Sequence, residues 1–200
     1  SKGECDIAAF HFPTDVVNQK LVDMHNKYFK PNTYKVIRFV SRRQGLMIKK
    51  DNPKGIEKVE DLIRADIKFI NREDNSGTRL LIEELLKRAS LDIKQVAGFD
   101  DIEFTHSAVA AYVASGMADT GIGVETAARQ FGLDFIPLTT ENYVLICHHK
   151  SIKKFAVQQL VAELKTEKFK QTVLNLAGYK PVCCGDIVDL KDVLPWYSPC

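Results

Sequence analysis

The sequence has no long apolar run: none of its segments approaches the roughly 18 residues that a bilayer-spanning helix requires. It also shows no apolar segment of the kind that a secretory signal peptide contains, so we expect a cytoplasmic protein with no membrane partner. Neither sign of charge dominates, since 28 Lys and Arg are set against 26 Asp and Glu, and the two signs are interspersed. Because nucleic-acid binders concentrate positive charge, we expect no direct nucleic-acid binding by this chain.

Motifs of several common enzyme classes are absent as well. The sequence contains no Gly-x-Ser-x-Gly elbow, no phosphate loop and no His-Glu-x-x-His. Gly121-Ile122-Gly123 lacks the third glycine of a dinucleotide fingerprint and lies within a predicted strand. The carboxylates of Asp100, Asp101 and Glu103 favour a solvated loop over a catalytic pair. The residues themselves therefore predict no catalytic group and no cofactor.

Five cysteines are present, an odd number that does not suit a disulfide framework. We interpret them as reduced thiols of a cytosolic protein. The alternative is a metal site formed by Cys147, His148 and His149. Cys147 and His149 would share one face of a strand, but two ligands without a paired Cys-x-x-Cys are a weak pattern, and we predict no metal.

Strand-like and helix-like segments alternate along the chain. Strands are predicted at 5–12, 33–40, 45–50, 68–72, 118–124, 134–138 and 142–148. Helices are predicted after Asp15 (with Val17, Leu21, Met24 and Tyr28 on one face), at 56–63, 80–89, 108–116 and 125–132, and as one or two helices within 151–177, broken near Thr166. A basic turn at 41–44 separates the second and third strands. This alternation favours an α/β fold with a parallel sheet.

Ser76, Gly77, Thr78 and Arg79 lie where a predicted strand ends and a helix begins. A helix start presents unpaired N–H groups and the positive end of the helix dipole. Glycine allows close approach of a ligand, the hydroxyls are donors, and the guanidinium is a positive fork. The group therefore suits an anion, although an ordinary helix cap explains Ser76 equally well.

Thr105-His106-Ser107 repeats this arrangement at the start of the next helix. In an α/β unit, two polar helix starts at strand carboxyl ends converge where such folds bind ligands. Taken alone, His106 is explained as a cap or core histidine. The pair Arg42-Arg43 is expected to face solvent, and to face a ligand only if its turn borders a cleft.

A succession of segments over about residues 4–180 resembles a known family. Among them are C-D-I-A-A-F-H (5–11), D-N-P-K-G-I (51–56), F-I-N-R-E-D-N-S-G-T-R (69–79), E-F-T-H-S-A-V-A (103–110), V-A-S-G-M-A-D-T-G-I-G-V (113–124) and E-N-Y-V-L (141–145), together with the segment around Arg43. They resemble the type II periplasmic-binding-protein-like domain of the molybdate- and tungstate-binding kind. Such domains are found fused to helix-turn-helix regulators and to molybdopterin-biosynthesis proteins.

The resemblance implies an α/β, two-lobed Venus-flytrap fold with the ligand at the lobe interface. Residues 1–48 and 142–200 would form lobe one, and the inserted segment 49–141 would form lobe two. Family members begin earlier, so the first strands of lobe one are expected to be missing. A chain of this kind is expected to self-associate or to be fused to a DNA-binding or enzyme domain.

The resemblance also implies which residues contact the ligand. By position in the family's motifs they are Ser76, Gly77, Thr78, Arg79, Thr105, His106, Arg43, Tyr143 and His11. The implied function is that of a sensor or effector module for a small oxyanion such as molybdate or tungstate. The alternative is an accessory or catalytic domain of molybdenum-cofactor biosynthesis that holds an anionic intermediate. A transport receptor would require a signal peptide.

Overall fold

A computed structural model describes residues 5–15, 19, 22–23, 29, 32–74 and 76–194. The strands are β1 (Ile7–Pro13), β2 (Tyr34–Ile48), β3 (Phe69–Arg72), β4 (Ile102–Glu103), β5 (Thr120–Val124), β6 (Asp134–His148), β7 (Tyr179–Pro181) and β8 (Ile187–Asp189). The α-helices are α1 (Gly77–Arg88), α2 (His106–Ala114), α3 (Glu125–Gln130), α4 (Phe155–Leu164) and α5 (Glu167–Leu174). Within these ranges, no helix combines the length and apolar character needed to cross a membrane.

Most predicted elements occur where the periodicity places them. Thr166 accepts a hydrogen bond from the Phe169 amide and caps α5, which confirms a break between two helices at that residue. The helix predicted at 56–63 is a short 3₁₀ turn at Val59–Ile63. For the helix predicted after Asp15, the four apolar positions lie outside the described residues.

The strands pair in the order β1-β6-β2-β5-β3-β4, and β7 and β8 also pair with β2. β3 runs parallel to both β4 and β5. β2 runs antiparallel to β5, β7 and β8. The predicted parallel sheet is therefore confirmed for β3, β4 and β5 and wrong for the strands around β2.

The basic turn predicted at 41–44 is wrong, because β2 continues through it as one strand. Its residues 40–42 pair with β7, and residues 44–48 pair with β5. The two arginines within it contact the carboxylates of Glu141 and Glu125, whose side chains are almost completely buried. Ladder pairing and these ion pairs make an extended strand possible where the local sequence favours a turn.

The gap predicted between the strands at 134–138 and 142–148 is wrong for a related reason. Residues 139–141 lie within β6, and Thr139 and Glu141 are buried. The Thr139 hydroxyl donates to the Asp15 carboxylate, and the Glu141 carboxylate accepts from two side chains described below. These polar groups are therefore satisfied inside the structure rather than in a loop.

The chain forms two compact units, which we call unit 1 (residues 1–12, 19–42 and 141–200) and unit 2 (residues 13–18 and 43–140). In unit 2, Leu46 and Ile48 belong to one buried cluster with α1, whereas Met47 belongs to another with α2 and α3. Because successive residues of a strand point to opposite faces, the sheet of unit 2 carries helices on both faces. Unit 1 has its own core, built around Ile37, Cys147 and Val161.

Candidate functional site

Three helices of unit 2 begin at one edge of its sheet. β3, β4 and β5 are parallel neighbours, and α1, α2 and α3 follow their carboxyl ends. We call this the carboxyl edge of unit 2. In open α/β sheets, ligands bind at such an edge, where helix starts present their unpaired amides.

At the first helix start, the Ser76 Oγ accepts a hydrogen bond from the Arg79 amide at 3.1 Å. Ser76 is thus the N-cap of α1, as the ordinary interpretation of this residue predicted. Among the described residues, no acceptor pairs with the N–H groups of Gly77 and Thr78. These two amides point in the direction of the positive end of the α1 dipole and can donate to an anion.

The guanidinium of Arg79 has several partners inside unit 2, and its side chain is only 11% exposed. Its Nε donates to the Glu83 carboxylate at 3.2 Å, and its Nη1 lies 3.4 Å from the carbonyl oxygens of Arg72 and Phe99. Its central carbon lies 4.7 Å from the centre of the Phe99 ring. These contacts fix α1 against β3, and the predicted contact of Arg79 with an anion stays a prediction.

The second helix start has the same cap chemistry. The Thr105 Oγ1 accepts from the Ala108 amide at 3.0 Å, so Thr105 is the N-cap of α2. Beside it, the Nδ1 of His106 lies 3.3 Å from Nη1 of Arg72. The Nη2 of Arg72 donates to the Phe104 carbonyl oxygen at 2.9 Å.

Arg72 connects the two helix starts, and it was not among the ligand contacts predicted from the sequence. It is the last residue of β3, and its side chain is 11% exposed. Its carbonyl oxygen accepts from Arg79, and its guanidinium contacts His106. Arg72 lies within the segment 69–79 that resembles the family, at the end of a predicted strand, and this position is the signal that could have identified it.

Glycine at position 123 leaves room for the His106 ring. A Cβ added there would lie 3.3 Å from the His106 Nδ1 and 2.6 Å from the Met47 methyl carbon. Both distances are shorter than ordinary van der Waals contacts. Because Gly123 on β5 has no side chain, there is room for the His106 imidazole next to Arg72.

Arg43 lies near the third helix start of this edge. Its neighbour Gln44 pairs with Val124, the residue before α3. The Arg43 Nη2 lies 2.5 Å from Oε2 of Glu125, whose side chain is 6% exposed, while Arg43 is 47% exposed. Arg129 approaches the other carboxylate oxygen at 3.3 Å. Arg43 thus neutralises a buried carboxylate, and its predicted contact with a ligand stays a prediction.

The remaining predicted residues, His11 and Tyr143, lie together in unit 1. The His11 Nδ1 is 3.2 Å from Oε2 of Glu141, and the Arg42 Nε donates to Oε1 of the same carboxylate. The Arg42 guanidinium carbon lies 5.0 Å from the centre of the Tyr143 ring, and the His11 ring centre lies 5.8 Å from it. Arg42 and Glu141 were not predicted as site residues.

The Glu141 side chain is only 1% exposed. Burial by itself raises the pKa of this carboxyl, but the hydrogen bonds and charges of His11 and Arg42 outweigh burial and lower the pKa from 4.5 to about 2. Glu141 is therefore a carboxylate at all ordinary pH values, and it holds His11 and Arg42 beside Tyr143.

The segment considered as a metal site contains a buried thiol and a stacked pair of histidines. Burial raises the pKa of Cys147 to about 11, which disfavours the thiolate that binds metals. The rings of His148 and His149 lie 4.5 Å apart. In the part of the chain that the structure describes, no group of three His, Cys, Asp or Glu side chains is placed to hold a metal ion.

Two compact α/β units, with β2 and β6 contributing residues to both, define a two-lobed solute-binding fold of type II. The model of the PBP superfamily domain matches residues 1–165. The chain therefore belongs to the PBP superfamily, as the resemblance predicted.

A relative is the uncharacterized protein YvgK of Bacillus subtilis (strain 168). The two are 35% identical over 188 residues, which covers 94% of this chain and 60% of YvgK. The chain thus spans less than two thirds of the length of this relative.

Solved structures with the same fold have lower sequence identity. One is described as the substrate binding domain of a molybdenum ABC transporter from Clostridium difficile, with a TM-score of 0.53, 19% identity, and coverage of 90% of this chain and 79% of that one. Another is an ABC-type phosphate transport receptor from Vibrio cholerae, with a TM-score of 0.55, 16% identity, and coverage of 90% and 81%. At these identities the similarity shows the fold alone.

Proposed function

We propose that this domain binds a small oxyanion at the carboxyl edge of unit 2. The observation that carries the proposal is the convergence of two capped helix starts on Arg72, with the Gly77 and Thr78 amides beside one start and His106 at the other. A tetrahedral oxyanion needs several hydrogen-bond donors at short range, and helix starts with a guanidinium supply them.

Molybdate and tungstate are the first ligands to consider, followed by phosphate and sulfate. Two proteins with this fold are named for the transport of molybdenum and of phosphate, which supports this choice. Donation by backbone amides, hydroxyls and a guanidinium suits a fully ionised oxyanion, because such a ligand has acceptors and no proton to give.

We further propose that the domain acts in the cytoplasm as a sensor or effector, and that binding there occurs without chemical change of the ligand. No residue of the carboxyl edge is then catalytic. Turnover of an anionic substrate by the purified protein would contradict this part and would favour a role in cofactor biosynthesis.

Isothermal titration calorimetry with sodium molybdate, tungstate, phosphate and sulfate tests the site. Replacing Arg72 by Gln (Arg72→Gln) should weaken binding of the preferred anion about ten- to a hundredfold, because a charge-assisted hydrogen bond is lost. His106→Gln should weaken it less. Arg64→Gln removes the same charge from a half-buried position just after the 3₁₀ turn at Val59–Ile63 and is the matched control. Circular dichroism confirms that each variant is folded.

The outcome that contradicts the proposal is equally specific. If the wild-type protein binds one of these anions and Arg72→Gln and His106→Gln bind it with unchanged affinity, the site lies elsewhere. If none of the four anions gives a binding heat or a shift in melting temperature, the oxyanion proposal itself is wrong.

A further inference from the structure

Arg79, in the first turn of α1, uses its whole guanidinium group for contacts inside unit 2. A guanidinium carries five N–H donors in one plane and has no acceptor. In Arg79, acceptors of unit 2 lie next to all three nitrogen atoms. They are the carboxylates of Glu83, Asp74 and Asp100 and the carbonyl oxygens of Arg72 and Phe99.

The contacts of Nη2 and of the flat face of the guanidinium disfavour a ligand at Arg79. Nη2 lies 3.4 Å from Oδ1 of Asp74 and 3.8 Å from Oδ1 of Asp100. An oxyanion beside Nη2 would therefore meet two negative charges, and like charges repel. The Phe99 ring covers one face of the group, with its centre 4.7 Å from the guanidinium carbon.

The same guanidinium holds the backbone of Arg72. Nη1 of Arg79 lies 3.4 Å from the Arg72 carbonyl oxygen and 3.4 Å from that of Phe99. The Oδ1 of Asn71, which is completely buried, accepts from the Arg72 amide at 2.9 Å. Its Nδ2 donates to the same Phe99 carbonyl oxygen at 3.1 Å. The peptide groups on both sides of the Arg72 Cα are therefore fixed by side chains.

The place of the Arg72 guanidinium depends on this backbone. Arg72 is the last residue of β3, and its side chain contacts His106 and the Phe104 carbonyl oxygen. A binding group keeps its geometry only when surrounding residues fix its conformation. A shift of the Arg72 backbone would move its guanidinium relative to the Gly77 and Thr78 amides, which lie on a different element.

We infer that Arg79 is a positioning residue: it fixes the backbone of Arg72, whose guanidinium binds the oxyanion, and does not itself contact the oxyanion. The resemblance to the family implied instead that Arg79 contacts the ligand. This inference rests on the proposed function of the carboxyl edge, because it assigns the oxyanion to Arg72.

The first test uses the wild-type protein and the Nε–H resonances of its arginines in ¹⁵N NMR spectra. Sodium molybdate, tungstate, phosphate and sulfate are titrated in turn, with sodium chloride at matched ionic strength as the reference. The anion that binds most tightly should shift the Arg72 resonance saturably and leave the Arg79 resonance in place. Because no residue is replaced, this measurement does not depend on the folding of a variant.

The second test is a double-mutant cycle on the affinity for the same anion, measured by calorimetry. Arg79→Lys keeps the positive charge but loses the planar fork, so it cannot reach acceptors next to three nitrogen atoms. It should weaken binding about tenfold. In the Arg72→Gln background, Arg79→Lys should cause no further loss, because the residue that it positions is gone. Arg88→Lys is the matched control, since Arg88 also lies on α1 and pairs with Glu84 at 3.2 Å, and it should leave the affinity unchanged.

The outcomes separate this inference from the function on which it rests. If none of the four anions binds the wild-type protein, the proposed function is wrong and the inference fails with it. If an anion binds and shifts the Arg79 resonance as strongly as that of Arg72, Arg79 contacts the anion and only the inference is overturned. The same holds if Arg79→Lys binds as tightly as wild type, or if it weakens binding equally in both backgrounds.

Discussion

Replacement of Glu141 by Gln tests the energetics of the charged cluster in unit 1. The variant keeps the size of the side chain and removes the charge that faces Arg42 and His11. Arg42 is 12% exposed, so its guanidinium would remain almost buried without a counter-charge. Removing one partner of a buried ion pair costs about 3–5 kcal/mol, and we expect a loss of that size in the free energy of unfolding at neutral pH.

The dependence on pH follows from the pKa of Glu141, which is about 2 in the folded protein and 4.5 ordinarily. Because the folded-state pKa is the lower one, the unfolded chain takes up the proton first, and acid favours unfolding. The carboxylate therefore contributes about 3 kcal/mol of stability above pH 4.5, which is lost as the pH falls towards 2. At pH 3 about 2 kcal/mol of it is already lost.

Urea unfolding followed by circular dichroism at pH 6 and pH 3 measures both effects. Between these two pH values, wild type should lose about 2 kcal/mol more than Glu141→Gln, because the variant has no carboxyl to titrate. Glu57→Gln, at an exposed position, is the control and should lose as much stability as wild type. Equal losses in wild type and Glu141→Gln would refute the assignment of a strongly lowered pKa to Glu141.

Two further predictions concern packing and thiol chemistry. Gly45→Ala should destabilise the protein by at least about 2 kcal/mol, because its Cβ would lie 2.0 Å from the Ile136 carbonyl oxygen. Gly55 has φ +57° and open space around it, so Gly55→Ala should cost only about 1 kcal/mol in the same urea experiment. Equal losses of stability in Gly45→Ala and Gly55→Ala would contradict the close approach of β6 to Gly45. Cys183 is exposed and should react with iodoacetamide at pH 8 well before buried Cys147, whose pKa is raised to about 11. Mass spectrometry after a short exposure measures this order, and modification of both thiols at similar rates would contradict it.

Local patterns were sufficient to predict α1 and α2 of unit 2, although the helix predicted at 56–63 is only a 3₁₀ turn. The helix predicted at 80–89 occurs as α1, with Leu81, Ile82 and Leu86 buried, and the serine before the helix caps it. In α2 the threonine at the predicted start is the cap. Helix periodicity and cap chemistry depend on residues within a few positions of each other, so a single sequence contains the whole signal.

The continuity of β2 and β6 could not be predicted, because the partners of their polar residues are distant in sequence. Arg42 and Glu141 are 99 positions apart in the sequence. Inside the protein, the charge of each side chain compensates the charge of the other. Considered locally, each favours a turn or a loop. The same limit applies to Arg72, since His106 becomes its neighbour only when β3 and β4 pair.

The two adjacent arginines in the middle of β2 help to fix the register in which this strand pairs with its neighbours. Arg42 contacts the buried carboxylate of Glu141, and Arg43 contacts that of Glu125. A slip of one residue in the pairing of a strand moves every side chain to the opposite face. Such a slip in β2 would remove both arginines from their carboxylates and leave two charges buried without partners, each at a cost of several kcal/mol. The arginine pair therefore disfavours a misregistered sheet during folding, even though residues 41–44, taken by themselves, predict a turn.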